Sequence, residues 1–217
     1  MKHTRTIAVA AGALALAASI AVRPAAAQDH THASGQPLPA SAQGYPWTPA
    51  DAHFMSAMIH HHAQAIVMAR MAPTHGASEQ VKVLAARIIN AQNDEIATMQ
   101  QWLRDRGQPV PEPTPGPMKM NMDGMEHEML MPGMLTEAQL AELDAARGRD
   151  WDRLFLTYMI QHHRGATQMV RELFGTEGAG QDESVFKFAS DVNVDQTTEI
   201  DRMQRMLAAL IFESPTP

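Results

Sequence analysis

Apolar residues recur every three to four positions through four long stretches of the chain, the period of an amphipathic helix. The first stretch opens at Thr48-Pro49, an N-cap hydroxyl followed by proline at the first helical position, and runs to about Met71, where Pro73 stops it. The second is predicted from Ser78 to Arg106 and is ended by Gly107 and Pro109. The third continues from a break at Gly148 to Phe174, and the fourth spans Asp182 to Phe212. Thr136-Glu137-Ala138-Gln139 has the form of a capping box and opens a short helix ahead of the third stretch. Proline at every second position from Pro109 to Pro117 excludes helix there. No segment is read as a strand, so the predicted fold is all-α.

The pattern also repeats. The first helix holds Phe54-x-x-x-Met58-Ile59-His60-His61-His62-x-x-Ala65-x-x-Met68, and the third holds Phe155-x-x-x-Met159-Ile160-Gln161-His162-His163-x-x-Ala166-x-x-Met169. The second carries Gln92-x-x-Glu95-Ile96-x-x-Met99 and the fourth Gln196-x-x-Glu199-Ile200-x-x-Met203. Two helical hairpins with matching patterns imply a pseudo-symmetric four-helix bundle. The hairpins occupy residues 48–107 and 136–213, the second including the short helix, and a Pro/Met-rich linker at 108–135 joins them.

The chain before the bundle reads as an address followed by a tail. Lys2 and Arg5 precede an uncharged apolar run from Ile7 to Val22, and Ala25-Ala26-Ala27 supplies a small-residue cleavage site. A signal peptide over residues 1–27, cut after Ala27, is expected. An uncleaved anchor is the alternative, although the run is shorter than the roughly 20 residues of a spanning helix. Residues 28–47 are rich in Ala, Gln, Pro and Gly and read as a disordered leader. The expected location is periplasmic or secreted, with no membrane span left after cleavage.

Composition narrows the chemistry. The 217 residues include 17 Met and no Cys, which excludes disulfides, thiolate metal sites and a cysteine nucleophile. A net charge of −7 and 5% aromatic residues argue against nucleic acid as a partner. With successive residues about 100° apart, His61 and His62 straddle the apolar stripe through Phe54, Met58 and Ala65. His60 falls on the solvent side, matched in the repeat by Gln161. His162 and His163 face inward in the same way, with Met58, Met68, Met159 and Met169 on or near the stripes. Glu95, Met99, Glu199 and Met203 occupy the facing helices. Each alone has a packing explanation, such as methionine filler or a buried His–Glu hydrogen bond. Burying imidazoles beside carboxylates twice over costs stability unless something binds there. The Glu-x-x-His pattern of carboxylate-bridged di-iron bundles is absent from these faces. Imidazole with thioether suits copper, and thioether selects Cu(I).

The linker sharpens this. Met118, Met120, Met122, Met125, Met129, Met131 and Met134, with His127 among them, read as an exposed flexible loop without a packing role. Thioethers need no deprotonation and survive where cysteines would oxidise. The loop is therefore expected to bind Cu(I) and Ag(I) even in mild acid. Binding at the bundle histidines is expected to fade below the ordinary imidazole pKa of about 6.5.

The paired Met-Ile-(His/Gln)-His-His helices and the Gln-x-x-Glu-Ile-x-x-Met helices resemble the family of domains of unknown function numbered three hundred and five, from about Pro49 to Leu210. The resemblance implies a ferritin-like four-helix bundle, copper binding, and a role in copper tolerance or delivery. Met58, His61, His62, Met159, His162 and His163 match its motif directly. The reading is an exported copper-binding protein, a Cu(I) and Ag(I) buffer or chaperone, with Cu(II) as the alternative redox state. Its partners are metal ions and other copper-handling proteins. The rival readings are a metal-dependent oxidase or peroxidase-like enzyme, and a structural helical interaction module; no separate general base or substrate pocket speaks for the enzyme.

Overall fold

The computed structural model describes residues 46–122 and 125–212, and the side chains of residues 119–127 are outside that description. The expected signal peptide, and the leader up to residue 45, therefore lie outside the described residues. The elements are α1 (Pro49–Arg70), α2 (Glu79–Asp105), β1 (Met118–Met122), β2 (Met125–Met129), α3 (Glu137–Ala145), α4 (Gly148–Gly175) and α5 (Glu183–Phe212). The fold is an all-α bundle of two helical hairpins, α1–α2 and α4–α5, joined through packing of α1 on α4.

Local chemistry fixes the helix starts. Thr48 and Asp51 form a reciprocal capping box around Pro49, with the Thr48 N–H donating to Asp51 Oδ2 at 2.7 Å. The other Asp51 oxygen accepts from the Gly180 N–H at 2.6 Å, tying the start of α1 to the α4–α5 loop. Thr136 and Gln139 cap α3 in the same reciprocal way. Arg106, at the end of α2, pairs with Asp182 at 2.9 Å just before α5. Trp47, within the segment read as leader, packs edge-on against Trp102 of α2 with ring centres 5.9 Å apart.

Two apolar clusters fill the bundle. One contains Phe54, Met58, Met99, Met169, Val192 and the linker residues Met131 and Met134. The other contains Met68, Leu84, Trp151, Phe155, Met159 and Met203, with Trp151 stacked on Phe155. Each repeated hairpin thus contributes its Met pair to a different cluster: Met58 and Met99 to the first, Met159 and Met203 to the second.

The linker departs from expectation in two ways. Met118–Met122 and Met125–Met129 pair as antiparallel strands, with Cα partners Met118–Met129, Met120–His127 and Met122–Met125. Methionine does alternate with polar residues there, at the period of two that marks a strand. Further on, Met131, Met134 and Leu135 are buried, so this end of the linker is core and not an exposed loop. Gln64 holds it: its amide donates to Leu135 O at 3.0 Å and its carbonyl accepts from the Leu135 N–H at 2.6 Å. Gly133, at φ 77°, lies against Gly165 of α4, where an added Cβ would sit 1.8 Å from Pro132 O. The linker also covers the outer side of α1. His60 Nδ1 bonds to Thr114 at 3.0 Å, so that position is half-buried and not an unconstrained solvent face.

Candidate metal centre

His61, His62, His162 and His163 are fully buried, at 0% exposure, as the helical period requires of residues flanking the core stripe. They form one layer where α1 meets α4. The rings of His61 and His162 lie against each other with centres 3.8 Å apart and a tilt of 39°. Each is flanked by its chain neighbour, His62 at 6.4 Å and His163 at 6.3 Å.

Hydrogen bonds fix the ring roles. His62 Nε2 donates to Glu95 at 2.5 Å, and His163 Nε2 donates to Glu199 at 2.7 Å. His61 Nε2 donates to the carbonyl of Pro132 at 3.0 Å. In a neutral imidazole whose Nε2 carries the proton, Nδ1 carries the lone pair. The Nδ1 atoms of His61, His62 and His163 are buried and have no hydrogen-bond partner among the described residues. His162 makes no well-formed hydrogen bond at either nitrogen, its nearest acceptor being the His61 backbone; the Gln92 side chain lacks a partner at both amide atoms, and Gln196 at its oxygen. Such a concentration of unpaired buried polar atoms is unusual for a layer that serves packing alone.

Burial also sets the charge state. It pushes His61 down to about 3, with the neighbouring His62 ring acting in the same direction. Burial, then the adjacent His61, drives His162 well below its ordinary value. Both rings are therefore neutral at physiological pH and able to act as ligands without losing a proton. Burial, then the charges of Glu95, Asp191 and Glu199, pushes the Asp195 carboxyl up.

The other expected donors fall into three groups. Met58, Met68, Met99, Met159 and Met203 are fully buried and Met169 nearly so, in the two clusters described above. Met118 and Met129 stand at the base of the β-hairpin, where Met129 is 49% exposed. The side chains of Met120, Met122, Met125 and His127 lie outside the described residues. Among the described residues no three His, Asp or Glu side chains are placed to hold one metal ion together. The layer was legible as four histidines; the roles of Pro132 and Gln64 were not, since each depends on the linker meeting the bundle.

The fold and the layer define a helical-bundle protein whose paired histidines are held by glutamate and carbonyl acceptors. The chain belongs to the family described as Domain of unknown function (DUF305), whose profile matches residues 51–207. The DUF305 protein of Streptomyces coelicolor is 28% identical, with 74% of this chain and 92% of that one covered and a TM-score of 0.61. The DUF305 fragment from Deinococcus radiodurans is 29% identical, with 75% and 98% covered and a TM-score of 0.62. CopM in its Cu(I)-bound form is 29% identical, with 78% and 100% covered and a TM-score of 0.55; CopM structures also exist in Cu(II)-bound, Ag-bound and apo forms. No curated protein matches the chain. Among the described residues no helix is long and apolar enough to cross a membrane.

Proposed function

We propose that the protein is an exported copper-binding protein that buffers or hands on Cu(I), and Ag(I) with it, in metal tolerance. The observation that carries this reading is the set of buried imidazoles whose Nε2 protons are held by Glu95, Glu199 and the Pro132 carbonyl. A metal-binding histidine commonly donates its other N–H to a carboxylate or a carbonyl, which fixes the ring and raises its basicity. On this reading Glu95 and Glu199 orient the rings, and the ligands are imidazole Nδ1 atoms with sulfur from Met58 and Met99 on one side and Met159, Met203 and Met68 on the other. Imidazole and thioether together suit copper better than a hard cation. The copper and silver complexes of CopM, 28–29% identical and similar in fold, support the same cargo. Export rests on the basic, apolar and small-residue order of residues 1–27. Delivery to other copper-handling proteins is the role that a soluble carrier of this ion would serve.

The test is a variant with His61, His62, His162 and His163 all replaced by Gln, in protein purified without a His-tag. Loss of the tightest copper site with the helical content retained is expected. Unchanged copper stoichiometry and affinity would overturn the assignment of the histidines.

A further inference from the structure

Apart from the histidine layer, a pocket of about 180 Å³ opens beside the base of the β-hairpin, between α1 and the second half of α4. Met118, Met129, Met131 and Met169 line it, with His53 and Glu172 among the polar residues of its wall. The methionines come from four separate places in the chain: the two strands, the buried turn after them, and α4. Met118 and Met129 are direct cross-strand partners, and Cβ atoms of such pairs stand about 4.5–5.5 Å apart. Core packing explains Met131 and Met169, which are 6% exposed, but not Met129, which is 49% exposed on a pocket open to solvent. His53 is exposed on α1 and needs no desolvation to serve as a donor. Every second register position further along the hairpin again pairs Met or His: Met120 with His127, then Met122 with Met125. The pocket also adjoins the histidine layer, because Pro132 lines the pocket and its carbonyl accepts from His61 Nε2.

We propose that this pocket is a separate loading site for a soft monovalent cation, Cu(I) or Ag(I), held by the thioethers of Met118, Met129, Met131 and Met169 with His53 at its mouth. Thioether donors favour such ions and disfavour Zn(II), Mg(II) and Ca(II). The inference rests on the soft-metal reading above and adds a location and, Met169 apart, a donor set that the bundle repeat does not contain. His53 lies outside the repeated motif, and no residue of the hairpin has a counterpart in the second half of the chain.

The experiment is a titration of the intact protein with Ag(I), followed through the methionine methyl resonances and by the number of ions bound. The four pocket methyls should shift together as one equivalent binds. A variant with Met118, Met129, Met131 and Met169 all changed to Leu preserves side-chain volume and should bind one equivalent fewer, keeping the rest. His53→Ala should keep that equivalent but weaken it by about tenfold or more. If the wild type binds Ag(I) while these methyls stay still, or the Leu variant keeps full stoichiometry, the pocket assignment is wrong and the bundle reading stands. If His53→Ala leaves the affinity unchanged, His53 is not a donor. If the wild type binds neither Ag(I) nor Cu(I), the soft-metal reading fails and takes this site with it.

Discussion

Acid should unfold the metal-free protein through its histidine layer, and the size of the effect can be worked out. His61 is fully buried and titrates at about 3 in the fold, against 6.5 in an unfolded chain. Between those values the unfolded state binds a proton that the native state does not. Stability therefore rises with pH across this window, and falls as pH drops from about 6.5 toward 3. At pH 4.5 the gap is about two pH units below the unfolded pKa, which converts to about 3 kcal/mol from His61 alone. His162 is shifted in the same direction and adds in the same sense. Against a total stability of about 5–15 kcal/mol for a domain, this is a large fraction. The assay is urea unfolding followed by far-UV circular dichroism at several pH values, with a chelator present. Other groups titrate too, so the comparison is with His61→Gln, which keeps a donor for the Pro132 carbonyl but cannot take up a proton. The variant should lose less stability than wild type between pH 6.5 and 4.5. Parallel curves for the two proteins would refute the reasoning. The same shift bears on the expected fade of bundle binding in mild acid: at pH 5, His61 has no proton to expel, because burial and not the free imidazole pKa governs it.

Other perturbations probe how the linker is fixed. Gly165→Ala would drive a Cβ to 1.8 Å from the backbone oxygen of Pro132, which has little freedom to yield. A loss of about 3 kcal/mol or more by calorimetry is expected, and an unchanged Tm would contradict the close approach. Gln64→Ala leaves the Leu135 N–H and C=O without their partner. It should cost about 1–3 kcal/mol and speed amide exchange at Leu135, whereas unaltered exchange would show that the linker is held otherwise. Zn(II) at equal concentration should leave Ag(I) uptake by the intact protein unaltered; displacement would mean that nitrogen and oxygen donors dominate over sulfur.

The parts of this fold that were legible in the sequence are those set by local chemistry. The Thr48-Pro49 and Thr136-x-x-Gln139 starts and the 3.6-residue period mark their helices without help from tertiary contacts. The inward turn of His61, His62, His162 and His163 follows from the same period, and the repeat gave it weight. The β-hairpin was missed although its signals were present. Met118, Met120 and Met122 alternate with Lys119 and Asn121, and Asp123-Gly124 is a two-residue hairpin sequence. Methionine is not a typical strand former, so its abundance pointed to a binding loop and drew attention from its spacing. Burial of Met131 and Met134 could not be read locally, because it depends on Gly133 meeting Gly165 and on Gln64 reaching Leu135. The cover over α1 was likewise hidden. Ile59, Ala63 and Ile66 make α1 apolar well beyond one stripe, and that excess matches a helix buried on nearly all sides.

The central claim is that this bundle holds Cu(I) in sites of imidazole and thioether. The most direct measurement is a copper titration of the intact, untagged protein under reducing conditions, with a chromogenic Cu(I) chelator as competitor. The account predicts that the protein withdraws copper from the chelator in a defined number of equivalents, and that the His61, His62, His162 and His163 variant gives up the tightest of them. A chelator that keeps all its copper at every protein concentration would contradict it.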